Sequence, residues 1–129
     1  MVVWPNVAWA VCVIGLSSLL HEFGHAWTAR AVGWRAVGFR FRWYGIAFVA
    51  DTNGRSDQLW KVALGGLAAT AGLALLFLAG TALPTPAPAL FGIGFTFNAV
   101  LLLTNILPVP MLDGGKIVSG IRKQARKSS

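Results

Sequence analysis

The amino-acid sequence predicts an all-α membrane protein with three membrane-spanning helices and a short β-hairpin between the first two. The chain is 56% hydrophobic and only 12% charged, whereas soluble domains usually carry about 25% charged residues. It also contains three apolar stretches close to the roughly 20 residues that a helix needs to cross a bilayer core. Its 129 residues predict one domain, residues 1–129.

The apolar stretches place the predicted spans at about residues 7–27, 62–83 and 90–107. Three prolines between residues 84 and 88 predict a short turn between the second and third spans. Cys12 lies in the first span and is expected to be a small buried residue.

The basic residues define the predicted topology. All eleven Lys and Arg fall in two blocks, residues 30–61 and 116–127. Three spans place both blocks on the same side, which the positive-inside rule assigns to the cytoplasm. We therefore predict a multi-pass protein of the cell (plasma) membrane, with the loop 30–61 and the C-terminus cytoplasmic. This segregation argues against nucleic acid as a partner, despite the net charge of +7, and makes the lipid bilayer the expected partner.

The segment between the first two spans has a different periodicity. From Val37 to Tyr44, apolar and aromatic residues alternate with Gly, Arg and Tyr, and a period of two is typical of a strand. With Tyr44-Gly45 as the turn, this predicts a β-hairpin over about residues 35–50 at the membrane interface. Asn53-Gly54 predicts a second turn.

Small and polar residues mark the helix contacts of spans two and three. Small side chains let helices approach closely in lipid, and span two is rich in them: Gly65, Gly66, Ala69, Thr70 and Gly72. Span three contains Asn98 and Asn105, and polar groups at membrane depth usually face the bundle or a wet cavity.

The residues His21-Glu22-Phe23-Gly24-His25 form the pattern HExxH. On a helix, positions four apart lie on one face, so His21 and His25 can reach one metal ion. Glu22 then lies where it can accept a proton from a metal-bound water. The chain has two histidines, and both belong to this motif. The alternative is an interfacial histidine pair beside a snorkelling Glu.

A catalytic zinc takes three protein ligands and leaves one position open. Of the four acidic residues, Asp51 and Asp57 are expected at the surface of the basic loop. Asp113 follows span three, and the topology brings the end of that span to the side where span one ends. We therefore predict Asp113 as the third ligand, with Gly114 and Gly115 allowing a sharp turn and a close approach. An Asp-Gly turn without a metal is the alternative.

Asn105 lies just before Pro108 and Pro110, which end or kink the third span. Backbone groups freed in lipid need partners, so this stretch is expected to line a wet cavity. Asn105 could donate its amide to the oxyanion of a tetrahedral intermediate. The alternative is an interhelical hydrogen bond that packs the bundle.

Together these residues resemble the site-2 protease family of intramembrane metalloproteases (peptidase family M50). That family pairs an HExxH helix with a motif N-x-x-P-x-P-x-L-D-G, which is complete here at residues 105–114. The resemblance covers nearly the whole chain and implies a three-helix catalytic core with a membrane-associated β-element. It also implies that His21, His25 and Asp113 hold one Zn²⁺ per chain, that Glu22 activates water and that Asn105 stabilises the oxyanion or positions substrate.

The resemblance implies a zinc endopeptidase that cleaves in or near a transmembrane helix of a membrane-protein substrate. The alternative is a non-enzymatic zinc-binding membrane protein with a structural, sensing or helix-binding role. The sequence contains no PDZ or CBS domain, so it leaves open whether the chain acts alone, as a homo-oligomer or with a regulatory membrane partner.

Overall fold

The computed structural model describes residues 3–35, 37–42, 45–85, 88–109 and 112–129. In chain order it contains a helix, a two-stranded hairpin, a short 3₁₀ turn and three further helices. Their bounds are α1 Val3–Ala31, β1 Val37–Arg42, β2 Gly45–Ala50, the 3₁₀ turn Ser56–Gln58, α2 Leu59–Thr81, α3 Pro88–Ile106 and α4 Asp113–Ser128.

Three helical segments are long and apolar enough to cross a membrane, at Pro5–Ala31, Ser56–Thr81 and Pro88–Ile106. They coincide with the three predicted spans, and the first is longer than predicted at its C-terminal end. Pro88 is the first residue of α3, a position where proline costs no hydrogen bond. The predicted proline turn is seen at Pro84, while Pro86 lies outside the described residues.

Helix α2 is the centre of the bundle, because it packs against α1, α3 and α4. Its contact with α1 is close enough to require glycine on both sides. A β-carbon on Gly65 would overlap the backbone carbonyl of Gly24 and the hydroxyl of Thr28, and one on Gly24 would overlap Gly65. This confirms the small-residue prediction for Gly65. Gly72 is the exception, since it is exposed and nothing lies within 4 Å of a β-carbon built there.

The polar residue Asn98 of the third span faces the inside of the bundle. Asn98 on α3 is fully buried and its amide donates to the Ser17 hydroxyl on α1, at 3.0 Å. The prediction that Asn98 faces the bundle is therefore confirmed. The prediction of a buried Cys12 is wrong: its side chain is exposed on α1. An apolar helix in a bilayer can turn such a residue to lipid at little cost, so apolar neighbours in the sequence do not indicate burial inside the protein.

The predicted hairpin is present and antiparallel. Its register runs from Val37 opposite Ala50 to Arg42 opposite Gly45. The connecting residues 43–44 lie outside the described part of the chain. Phe39 on β1 packs against Phe23 of α1, with ring centroids 5.0 Å apart, which fixes the hairpin to the helix that carries HExxH.

The loop after the hairpin turns where the sequence predicts. Asn53 and Gly54 both have positive φ angles, 51° and 74°, which favour Asn and Gly. The backbone N–H of Arg55 donates to the carbonyl of Thr52 at 2.9 Å and closes this turn.

The C-terminal segment Asp113–Ser128 forms α4, a helix that was not among the predicted elements. Asp113 lies in the first turn of α4, and Arg126 and Lys127 lie in its last turn, so both ends complement the helix dipole. Gly114 and Gly115 do not form a sharp turn, because they lie inside the first turn of α4. Instead Gly114 permits a close approach, since a β-carbon there would overlap the carbonyl of Ile106 at the end of α3.

Candidate metal centre

Three elements bring the predicted site residues to one pocket of about 300 Å³. Helix α1 supplies His21, Glu22 and His25, α3 supplies Asn105, and α4 supplies Asp113. Phe48 of β2 and the residues Leu59, Val62, Ala63 and Lys116 complete the lining.

Three atoms converge in this pocket. Nε2 of His21 lies 3.2 Å from Nε2 of His25, and Oδ2 of Asp113 lies 3.1 Å from the first nitrogen and 3.3 Å from the second. Ligands about 2.1 Å from a tetrahedral zinc stand roughly 3.4 Å apart. The observed triangle is close to that spacing.

Hydrogen bonds behind the two imidazoles decide which nitrogen faces the triangle. Nδ1 of His25 lies 2.8 Å from the carbonyl of Val62, which can only accept, so this nitrogen carries the hydrogen. Nδ1 of His21 lies 2.7 Å from the Thr70 hydroxyl, which already donates its own hydrogen to the carbonyl of Gly66 at 3.1 Å. The hydroxyl therefore accepts from His21. In their neutral forms both imidazoles turn an unprotonated Nε2 to the centre, which is the arrangement found behind metal-bound histidines.

Asp113 adds the third atom that can donate an electron pair to a metal. With both imidazoles neutral, none of the three facing atoms carries a hydrogen. The Asp113 side chain is buried, and Oδ2 has no hydrogen-bond donor among the described residues. Burial raises the pKa of this carboxyl. The neighbouring imidazoles, which donate hydrogen bonds to it when protonated, lower the pKa by more, so the net pKa lies well below the usual value of an Asp carboxyl. Three lone pairs and a buried negative charge fit a divalent cation.

The remaining polar groups of the pocket lie around this triangle. The carboxylate of Glu22 lies within 4.8 Å of the ligand atoms of both histidines. Nζ of Lys116 lies 3.6 Å from Oδ1 of Asp113, the oxygen that does not face the histidines. Asn105 lines the pocket while its amide donates one hydrogen bond to Leu101 of its own helix, at 2.8 Å.

The centre lies well before the C-terminal end of α1. His21 lies ten residues before Ala31, the last residue of α1, which is about 15 Å along the helix axis. Both histidines are buried. The pocket is therefore set well into the helix bundle, with the hairpin alongside it.

Sequence reasoning missed three contributors to this pocket. The sequence predicted Thr70 only as a small packing residue of span two, although a hydroxyl at membrane depth itself indicates a polar partner. The spacing of Lys116 also indicates its role, because residues three apart on a helix are neighbours and this places its ammonium group near Asp113. The ring of Phe48 in the hairpin lies beside that of His25, tilted by 37° with ring centroids 6.0 Å apart, and nothing in its strand pattern indicates this contact.

A membrane-helix bundle that gathers HExxH and a distant aspartate around one point defines a metalloprotease-type centre in a membrane protein. The comparisons with known proteins agree with this class. The family model described as "Peptidase family M50" matches residues 46–129, about two thirds of the chain, and the chain belongs to that family. The matched range contains Asn105 and Asp113, and the HExxH helix precedes it.

The chain is also similar to a protein of Synechocystis sp. that is named "Putative zinc metalloprotease". The two are 33% identical over 109 residues, which cover 81% of this chain and 29% of the relative. The chain thus spans less than a third of that relative's length. No solved structure is significantly similar to it. Family membership and the three apolar helices identify an integral membrane protein of a metalloprotease family, for which zinc is the implied metal.

Proposed function

We propose that the chain is a zinc-dependent intramembrane endopeptidase that hydrolyses a peptide bond in or near a transmembrane segment of another membrane protein. The observation that carries this proposal is the triangle of His21 Nε2, His25 Nε2 and Asp113 Oδ2, with sides of 3.1 to 3.3 Å, inside a helix bundle. These three atoms would hold one zinc ion per chain.

When bound, zinc lowers the pKa of a coordinated water and polarises a carbonyl oxygen. The chain's own residues supply the rest of the chemistry. Glu22 takes a proton from the attacking water and gives it to the leaving amine. A structural zinc site needs no such base and usually has four protein ligands, so Glu22 favours catalysis over a purely structural role.

Asn105 is proposed to stabilise the oxyanion or to position the substrate. Its amide uses one N–H on the carbonyl of Leu101, and an amide group has a second N–H and an acceptor oxygen. Asn105 is also half-buried at the pocket lining. The alternative role in packing between helices is not supported by its hydrogen bond, which stays within α3.

Lys116 and Thr70 act behind the ligands. Lys116 neutralises Oδ1 of Asp113 and so leaves Oδ2 as the oxygen for the metal. Thr70 fixes the ring of His21 through Nδ1. Such outer partners hold metal ligands in their productive orientation.

The substrate must present an extended segment, because the peptide bonds of a helix are shielded by its own hydrogen bonds. The hairpin offers a receiver for such a segment, since a two-stranded sheet leaves an edge on each strand. Strand addition satisfies the backbone groups of an unwound peptide. Phe48 of β2 contributes to the pocket, so a segment added to this sheet is close to Glu22.

The test is cleavage of a transmembrane substrate by purified protein in detergent or nanodiscs. Wild type should cleave, and the chelator 1,10-phenanthroline should abolish cleavage. Glu22→Gln should retain about one zinc per chain and lose cleavage by a factor of at least about 10². Cleavage by Glu22→Gln at the wild-type rate would contradict the mechanism. Zinc binding without cleavage of any helical substrate would favour the non-enzymatic alternative.

A further inference from the structure

A second concavity adjoins the metal pocket. It has a volume of about 500 Å³ and lies between the 3₁₀ turn with the start of α2 on one side and α4 on the other. Leu59 and Lys116 line both cavities. We call this concavity the basic groove.

The charge of the basic groove is strongly positive. Its lining contains four cations, Lys116, Arg122, Lys123 and Arg126, and one carboxylate, Asp57. Within the described part of the chain, Lys116 is ion-paired with Asp113, whereas the three cations farther along α4 form no ion pair. Those three side chains are exposed. The groove therefore offers uncompensated positive charge to a ligand.

Close packing of α4 on α2 fixes the position of these cations. A β-carbon on Gly120 would overlap the Trp60 side chain, so the two helices meet at this glycine. Arg122 and Arg126 are four residues apart and share one face of α4. The start of the helix is fixed as well, because it carries Asp113 beside the two histidines.

We propose that the basic groove binds an acidic segment of the substrate that flanks its membrane-embedded part. This inference rests on the proposed protease function and specifies its substrates. A polypeptide that leaves the metal pocket past Leu59 and Lys116 enters the groove directly. Arginine and lysine side chains bind carboxylates through charge-assisted hydrogen bonds.

The continuity of the groove with the metal pocket favours a polypeptide over anionic lipid headgroups. Juxtamembrane cations can act through the general surface potential of the membrane, and basic pockets can also bind lipid headgroups, so the concave shape alone does not identify the ligand. Here the cations line a concave site that is continuous with the candidate catalytic pocket, and its volume is in the range of ligand-binding clefts. Substrates with Asp or Glu next to the transmembrane segment, on the side where α4 lies, should therefore be preferred.

The experiment measures peptide binding, so that it does not depend on turnover. Glu22→Gln protein is placed in nanodiscs of zwitterionic lipid, and two transmembrane peptides with the same apolar segment are compared. One carries the flank Asp-Glu-Asp-Glu and the other Asn-Gln-Asn-Gln. The acidic flank should bind about five- to tenfold more tightly at low salt, and the preference should shrink in 0.5 M NaCl because the contacts are screened.

A pair of charge-reversal variants in the Glu22→Gln background locates the effect. Arg122→Glu with Arg126→Glu should abolish or invert the preference for the acidic flank. Arg35→Glu with Lys127→Glu changes the net charge by the same amount at exposed positions outside the groove lining, and should keep most of the preference. Equal affinity of all proteins for the neutral peptide indicates that the variants fold.

Three results would overturn the inference. One is equal binding of the two peptides, and another is an equal loss of preference in both charge-reversal variants, which would indicate a long-range field. The third is weaker binding of short-chain phosphatidylserine to the groove variant than to its parent, without any flank preference in the parent, which would assign the cations to the membrane. A wild-type protein that binds the acidic peptide but cleaves neither peptide would contradict the protease function and leave the groove assignment supported.

Discussion

At the scale of single residues, the candidate centre depends on hydrogen bonds that the sequence motif does not reveal. HExxH indicates two histidines on one face of a helix, and the structure places Nε2 of both beside Asp113. The motif does not say which ring nitrogen faces the metal. That choice is made by the Thr70 hydroxyl and the Val62 carbonyl, both from α2.

Thr70 gives a prediction at this scale. Thr70→Val keeps the shape of the side chain but leaves Nδ1 of His21 without its acceptor in a buried site. We expect zinc affinity to fall about 10- to 100-fold, as measured by competition with a chromophoric chelator. Thr70→Ser should restore most of the affinity. The control is Thr104→Val, because the Thr104 hydroxyl is exposed and bonds only to carbonyls of its own helix. If Thr70→Val bound zinc with wild-type affinity, Thr70 would not be a supporting residue of the metal centre.

At the scale of elements, the sequence predicted the three spans and the hairpin because hydrophobic length and period-two alternation act locally. It missed α4, since three glycines in Asp113–Ser128 weaken any helical pattern. Packing of Gly120 on Trp60 compensates for that weakness, and such a tertiary contact is not visible in the local sequence. The same limit applies to Cys12 and Gly72, because composition identifies a span without specifying which of its faces meets protein.

The glycines of α2 give a prediction about the contact between α1 and α2. Gly65→Ala should destabilise the protein by about 1–3 kcal/mol, because the new methyl group overlaps the backbone of Gly24 and the Thr28 hydroxyl. Thermal unfolding in detergent measures this change. Gly72→Ala is the matched control on the same helix, where the added methyl meets nothing within 4 Å. It should leave stability unchanged or raise it by up to about 1 kcal/mol. Equal effects of the two substitutions would mean that α1 and α2 do not approach as described.

At the scale of the whole molecule, function requires that α1, α3 and α4 meet at one depth. With three spans, the loop of residues 30–61 and the C-terminus lie on the same side of the membrane, so the C-terminal part of α1, the end of α3 and the start of α4 can meet there. The blocks of basic residues predicted that arrangement, and the packing of α2 against both α1 and α4 is consistent with it. Which side is cytoplasmic stays a prediction from the positive-inside rule.

Topology is testable by thiol labelling. In a Cys12→Ala background, single cysteines at the exposed positions Asn53, Leu83 and Ser128 are labelled with a membrane-impermeant maleimide in right-side-out and inverted vesicles. We expect Asn53→Cys and Ser128→Cys to label from the same side, which is the cytoplasmic side, and Leu83→Cys to label from the opposite side. Labelling of Asn53→Cys and Ser128→Cys from opposite sides would exclude the three-span fold.

The measurement that tests the central claim most directly is the metal content of the protein purified in detergent. Wild type should carry about one zinc per chain, and His25→Ala and Asp113→Ala should each lose it. Asp51→Ala, which removes an exposed carboxylate outside the pocket, should retain it. A wild-type protein that binds no zinc when zinc is supplied, or an Asp113→Ala variant that keeps its zinc, would contradict the three-ligand centre.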